Sequence, residues 1–342
     1  MAHKHDASLD YLRYPTFAPL PRPVARCKGC GGSAFEFLLP QWKPVCKRCG
    51  RELELAGKIV RTEPPGNQPA PSPGRIQICA SSVHTVLLRP DGTVRAAMVP
   101  GNSKYDHGQC NVQDWTDIIA VACDFAYTIG LRKDGTVLVC GTKWAVESGV
   151  HRWSGITAIA AGDLHILGLR KDGTVNAIGQ DLYGRLEVKS WSNIISVAAG
   201  SGFSVGLRAD GSVLAVGNNS QKQCNTRTWS GIKAIAAGSN CTIGLRKDGT
   251  VCAVGAFRDT HNFQNWSGII EIAGETWHTV GLQNNGKVLS VGSNPFGQCN
   301  TGNWSNVIHI WAAEHFTAAQ TADGTILCTN PEIQKWLREA MA

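Results

Sequence analysis

The chain has 342 residues, 43% of them hydrophobic, with 38 glycines, 13 cysteines, 11 tryptophans and a formal charge of +7. That length leaves room for two domains, and the composition excludes a disordered or collagen-like chain. No apolar run reaches spanning length, and charges and prolines interrupt residues 1–26, where a secretory leader needs an unbroken apolar core.

Residues 1–26 carry Pro15, Pro19, Pro21 and Pro23 without apolar periodicity, which predicts an extended, flexible segment. Cys27-Lys-Gly-Cys30 and Cys46-Lys-Arg-Cys49 follow, separated by fifteen residues. Each pair forms a tight knuckle that offers two thiolates to one tetrahedral ion, eased by Gly31 and Gly50. Phe35-Glu-Phe37 and Leu53-Glu-Leu55 alternate as short strands do. The expectation is a zinc ribbon over 27–61 holding one structural Zn2+ on Cys27, Cys30, Cys46 and Cys49. Four thiolates close the coordination sphere, which excludes a catalytic role for the metal. Lys28, Lys43, Lys47, Arg48 and Arg51 cluster around the knuckles as candidate nucleic-acid contacts, and residues 1–63 hold eleven Lys and Arg against six Asp and Glu. Residues 62–74 read as a Pro-rich, semi-rigid linker.

From residue 75 to 329 one stretch recurs seven times, most cleanly as His165-Ile-Leu-Gly-Leu-Arg-Lys-Asp-Gly-Thr-Val175. Its turn glycines are Gly92, Gly135, Gly173, Gly211, Gly249, Gly286 and Gly324, at steps of 43, 38, 38, 38, 37 and 38. A fixed period of this size marks a repeat architecture. Each repeat holds a small-residue strand, a second strand, a tight turn with Gly, a third strand and a looser return containing Trp. Four short antiparallel strands cannot bury both faces alone, so neighbours must stack. The expected fold is all-β: a seven-bladed β-propeller of four-stranded antiparallel blades, monomeric and preceded by the ribbon. Residues 330–342 predict a helix with Asn330 as N-cap and Pro331 at its first position, which plugs or caps the propeller. Direct closure by the strand after Gly74, the segment Lys58-Ile-Val-Arg61 and this helix are all candidates for sealing the ring. The nine cysteines outside the ribbon sit mostly at apolar positions and read as buried free thiols, which points to the reducing cytoplasm.

The Trp-Ser-Gly-Ile and Ala-Ile-Ala-Ala-Gly stretches, Gly-Leu-Arg-Lys-Asp-Gly-Thr-Val, and Gly-Gln-Cys-Asn at 108–111 and 297–300 resemble the regulator of chromosome condensation repeat family, in particular its bacterial members. The resemblance implies the propeller over about three quarters of the chain, and implies protein partners. Relatives of the fold include the plant ultraviolet-B receptor, a bacterial inhibitor of β-lactamase and the eukaryotic founder, which exchanges guanine nucleotide on a small GTPase.

The repeats also allow an internal comparison. Trp115, Trp153, Trp191, Trp229, Trp266 and Trp304 recur in register, which predicts packing between blades rather than ligand stacking. The turn cations from Arg89 to Lys247 each come with a turn Asp and read as a solvated arc. The opposite loops vary, and they supply the candidate partner-binding residues Phe125, Trp144, Leu164, Phe257, Trp277 and His315. Tyr183 and Phe296 precede a Gly as the family's loops do and read as packing residues. His84, His165 and His278 share a position with Phe203, Cys241 and Phe316, so they are structural. No phosphate loop, nucleophile elbow or zinc-protease helix is present. The chain therefore reads as a non-enzymatic protein-binding scaffold, adaptor or inhibitor with no membrane contact. Nucleic-acid binding by the ribbon and guanine-nucleotide exchange are the alternatives.

Overall fold

The computed structural model describes residues 35–38, 43–46, 76–99, 101–256, 262–275 and 277–342. The chain divides into two compact units, a small one that holds a hairpin and a large one that holds everything from residue 76 onward. The hairpin pairs β1 (Phe35–Leu38) with β2 (Lys43–Cys46) antiparallel, Phe35 lying opposite Cys46. The expected strand at 53–55 lies outside the described residues, as do residues 1–26, the linker and the 58–61 segment.

The large unit consists of seven antiparallel sheets, one per repeat, at 77–98, 118–141, 156–179, 194–217, 232–255, 269–292 and 307–328. We number them blades 1–7. In blade 3 the inner strand is Ile156–Gly162, the middle one His165–Arg170 and the outer one Val175–Gly179. The hairpin turn is held by Gly173 N–H donating to Arg170 C=O at 3.0 Å, with Gly173 at φ +78°, where a side chain is strained. Asp172 Oδ1 accepts from Thr174 N and Oγ1, the local bond that Asp makes in turns.

Each blade has three hydrogen-bonded strands, not the expected four. The return segment uses its backbone groups locally instead of on the outer strand. Before blade 2, Asn111 N donates to Gly108 C=O, Val112 N to Cys110 C=O and Trp115 N to Val112 C=O. The Gln109 side chain, fully buried, fastens that coil by donating to Tyr105 C=O and accepting from His107 N. Gln223 accepts from Gln221 N and Gln298 from Phe296 N in the same way. Backbone groups tied into these turns are not available to a fourth strand.

Consecutive inner strands pack around the ring, and blade 7 returns to blade 1. They are rich in small buried side chains (Ala120, Ala122, Ala158, Ala160, Ala198, Ala236, Ala273), which lets the strands pack closely. Farther out, each return Trp fills the wedge between two blades. Trp229, for instance, shares a core with Leu207 and Val213 of blade 4 and Ile232 and Ile235 of blade 5. It lies on Gly244 of the next middle strand, where a Cβ would sit 2.7 Å from the ring. The pairs Trp115–Gly130, Trp153–Gly168, Trp191–Gly206 and Trp266–Gly281 repeat the arrangement. Each turn also binds its neighbour, as when Ile156 N donates to Gly135 C=O at 3.1 Å.

The junction of blade 7 with blade 1 is built differently. No Trp stands at the register position before blade 1, and Leu87 stands where the middle strands of blades 2 to 6 have Gly. The C-terminal helix (Pro331–Met341) covers this seam. Ile333, Leu337 and Ala340 are buried in one cluster with Ile76, Ile78 and Leu87 of blade 1 and Trp311, Phe316, Ile326 and Cys328 of blade 7. Asn330 caps the helix by accepting from Glu332 N and Ile333 N. Arg89 of blade 1 donates from Nε to Ala340 C=O at 2.5 Å, a cation on the helix C-terminus. Among the described residues each of blades 1 and 7 is built from its own consecutive strands, and the helix packs over the seam between them.

Candidate functional site: the variable loop face

In a three-stranded meander the first loop and the segment leaving the third strand emerge on the same side. The backbone ties them together: Thr142 N donates to Ala126 C=O, Gln180 N to Leu164 C=O, Asn218 N to Gly202 C=O and Ser293 N to Trp277 C=O. One face of the disc therefore carries all the variable loops, and the hairpin turns lie on the other.

The large hydrophobic side chains left exposed among the described residues are Val146, Leu182, Tyr183, Phe296 and Ile308. All but Ile308 lie on the loop face, in segments that leave a third strand. Tyr183 and Phe296 are 72% and 60% exposed, so they are not the packing residues that their place before Gly suggests. The polar work of these loops is done by the buried Gln or Arg beneath them, which leaves the aromatic ring outside.

The predicted partner residues divide. Phe125 is half-buried and meets Tyr105 edge to face at 5.4 Å. Trp144 is half-buried against the Tyr127 ring at 5.0 Å and joins the core of blades 2 and 3, so it supports the face from below. Leu164 is half-buried at the inner loop, at φ +60°. Trp277 is half-buried, its N–H donating to Glu275 Oε2 at 3.1 Å. His315 meets Phe296 with the rings tilted and their centroids 4.5 Å apart, and lies 3.8 Å from Glu314. Phe257 lies outside the described residues. The structure thus brings Phe125 beside Tyr105, and His315 beside Phe296.

Four inner loops carry a carboxylate: Asp124, Glu275 and Glu314, all buried, and half-buried Asp163. Asp124 Oδ1 accepts from Phe125 N. Arg185 stands in the slot that holds Gln109, Gln223 and Gln298 in three other return segments, and it is itself buried. Its Nη1 donates to Asp163 C=O at 2.6 Å and Ser201 C=O at 2.9 Å, and its Nε to Gln180 C=O at 2.6 Å, which locks blade 3 to blade 4. Sequence reasoning missed this Arg–Gln position, although its alternation within one repeat slot was the signal.

The histidines are radial ties between blades. His84 Nε2 lies 2.8 Å from Thr128 Oγ1 of blade 2, and Thr128 gives its own proton to Gln109 C=O. Thr128 therefore accepts, and Nε2 carries the hydrogen. His165 meets Ser204 and His278 meets Thr317 in the same way. Burial pushes His84 and His165 down to about 3, so both rings are neutral at physiological pH.

On the turn face, the Asp residues are held below the usual carboxylate range by their Thr or Ser partners, and Arg170 pairs with Asp172 at 3.6 Å. The register tryptophans there are buried or half-buried in the wedges and present no stacking platform.

Of the predicted zinc ligands, Cys46 ends β2, and Cys27, Cys30 and Cys49 lie outside the described residues. Of the candidate nucleic-acid contacts, Lys43 begins β2, and Lys28, Lys47, Arg48 and Arg51 lie outside the described residues. The other nine cysteines are free thiols. No helix among the described residues is long and apolar enough to cross a membrane.

These features define an RCC1-like β-propeller. Residues 156–185 and 194–223, in blades 3 and 4, match the regulator of chromosome condensation (RCC1) repeat. Among solved structures, the CRINKLY WD40 ectodomain of the Arabidopsis thaliana receptor kinase ACR4 is similar at 19% identity and TM-score 0.59, over 74% of this chain and 93% of that one. Human WBSCR16 is similar at 15% identity and TM-score 0.55, over 77% and 86%. Yeast RCC1 (Prp20), solved with Kap60, is similar at 16% identity and TM-score 0.50, over 68% and 72%. No curated protein matches the sequence. Identities this low speak for the fold alone.

Proposed function

We propose that the protein is a non-enzymatic binding scaffold or adaptor that grips a protein partner on the variable loop face, with a tethered zinc ribbon as a second contact. The carrying observation is the gathering of exposed apolar side chains on that one face, around Tyr183 and Phe296. Aromatic anchors beside a polar rim are what protein interfaces use. The yeast neighbour was solved with Kap60 bound, which is in keeping with partner binding by this fold. His84, His165 and His278 act as hydrogen-bond donors between blades.

The test is affinity purification of the tagged intact chain from its native cell, with and without nuclease, beside a Tyr183→Ala/Phe296→Ala double variant. A protein that survives nuclease and is lost from the variant supports the reading. Partners that disappear with nuclease would move the function to the basic ribbon, the second reading, which rests on the +5 excess of residues 1–63. Binding there should weaken steeply with salt. Guanine-nucleotide exchange has less support, since the repeats depart little from 38 residues and leave no room for a long inserted wedge. A fluorescent-nucleotide release assay across small GTPases checks it. For the ribbon, one equivalent of zinc in the intact chain, lost in Cys46→Ser/Cys49→Ser, is the expected result.

A further inference from the structure

We propose that the turn face of the disc binds single-stranded nucleic acid, with phosphates along the turns of blades 2 to 5 and a base in a cleft at the junction of blades 5 and 6. The proposal is independent of the protein-binding reading and leaves the loop face to a protein partner. Charge on the turn face is unevenly spread. The turns of blades 2, 3 and 5 each set two cations beside one carboxylate, as Arg132-Lys133-Asp134, Arg170-Lys171-Asp172 and Arg246-Lys247-Asp248. Just ahead of the return tryptophans stand Arg152, Lys189 and Arg227, all exposed. With Arg208 and Lys233, this sector holds eleven Lys and Arg against four turn Asp residues, Asp210 being the fourth. Toward the seam the balance reverses: Asp114 and Asp117 precede blade 2, and the turn of blade 7 has Asp323 and no cation.

The four carboxylates do not cancel this field. Each is turned to its own hairpin, as Asp134 Oδ1 accepts from Thr136 N at 2.9 Å and from Thr136 Oγ1 at 2.6 Å. Of the eleven cations, only Arg170 lies within ion-pair distance of a carboxylate among the described residues, at 3.6 Å from Asp172. Lys133, Lys171 and Lys247 are exposed at the tips of their turns. Exposed cations strung from blade to blade along a curve suit a flexible polyanion whose charges are themselves spaced along a chain.

A second observation selects the ligand. Three residues before the return tryptophans lie Val112, Val150, Val188, Thr226 and Thr301, every one of them sealed at 0–1% exposure. Before Trp266 the same slot holds Phe263, which is half-buried and meets Trp266 edge to face at 5.0 Å. Beside it opens a cleft of about 530 Å³, lined also by Arg246, Thr250, Asn262 and Gln264. Arg246 belongs to the basic arc, so the cleft stands at the end of that arc. A nucleobase matches it in three respects: a flat ring to stack on Phe263, edge donors and acceptors for the exposed Asn262 and Gln264 amides, and an adjoining phosphate for Arg246. An acidic peptide would engage the arc and leave the cleft empty. A duplex keeps its bases stacked inside and has none to offer.

The probes are fluorescein-labelled oligouridylate and oligothymidylate of about 15 nucleotides, titrated into the full-length protein by anisotropy, with a duplex and a Glu-rich peptide as controls. Both single strands are expected to bind. Phe263→Ala should weaken them, and not the duplex, by about fivefold or more, while Phe263→Tyr keeps the ring and the affinity. Lys133→Glu/Lys171→Glu/Lys247→Glu should lower the slope of log affinity against log salt by about 2, for three lost phosphate contacts. Thermal melts confirm that the variants are folded. Binding that this triple variant leaves intact and Lys47→Glu/Arg48→Glu abolishes belongs to the N-terminal unit and overturns the proposal, as does an absence of binding. Loss in the triple variant without loss in Phe263→Ala, or equal binding of the Glu-rich peptide, marks a surface for an acidic protein and overturns the single-stranded ligand. Tyr183→Ala/Phe296→Ala on the loop face should leave the oligonucleotides unaffected, so failure of this proposal stands apart from failure of the protein-binding reading.

Discussion

The seam between blades 7 and 1 makes a prediction that differs from that for any other junction. At six junctions a Trp covers the next blade's middle strand, but here the cover is the last helix of the chain, centred on Leu337. Leu337 is fully buried and shares a cluster with Leu87 and Ile78 on one side and Phe316 and Ile326 on the other. Leu337→Ala removes three carbons from a site walled by two rigid sheets that cannot collapse inward. The cost should be about 2–5 kcal/mol, equivalent to a fall of roughly 5–15 °C in Tm. Urea melts give the free energy, and hydrogen exchange locates it. In Leu337→Ala, protection should fall first in the inner strands of blades 1 and 7, while blades 3 to 5 stay protected, because repeat units are stabilised through nearest neighbours. Destabilisation below about 1 kcal/mol, or an even loss of protection around the ring, would refute the helix as the clasp of the propeller.

Three further predictions concern the blades. His84 and His165 sit at about 3 when folded against 6.5 unfolded, so below pH 6.5 the unfolded chain takes up protons that the folded one refuses. Stability is then full above pH 6.5 and falls by about 1.4 kcal/mol per pH unit for each ring as pH drops. Urea melts from pH 7 to 5 should show it, and His84→Phe/His165→Phe, which places in both slots the residue found at Phe203 and Phe316, should flatten the profile. Gly168→Val should drive the Trp153 ring out of its wedge, since even a Cβ there would sit 2.6 Å from it. The expected signs are a red-shifted tryptophan emission and a loss of about 1–3 kcal/mol; an unchanged spectrum would contradict the packing. Burial pushes the thiols of Cys140, Cys241 and Cys328 up to about 12. About one in ten thousand is then thiolate at pH 8, so iodoacetamide should spare all three until the chain is unfolded in urea.

Much of the fold was legible because a repeat protein states its rules several times. The turn glycines count the blades, and the shared slot of His84, Phe203 and Cys241 marks a buried position whatever its chemistry. Even the seam has a signature, in that the blade with no Trp before it has Leu87 in place of Gly. The fourth strand was not legible, because strand propensity says nothing about whether a buried Gln has already bound the segment into turns. Tyr183 and Phe296 misled for a related reason. A consensus slot suggests packing, but the residue that packs is the Gln or Arg two positions on, and the aromatic ring is left facing water.

The most direct test of the account is hydroxyl-radical footprinting of the intact protein alone and in its captured complex. Burial of the loop face predicts that Tyr183, Phe296 and Phe125 lose reactivity on binding, while Trp336 and Met341 on the C-terminal helix keep theirs. Protection confined to the turn face or to the N-terminal unit, with Tyr183 and Phe296 as reactive as before, would contradict the claim that the variable loops are the binding surface.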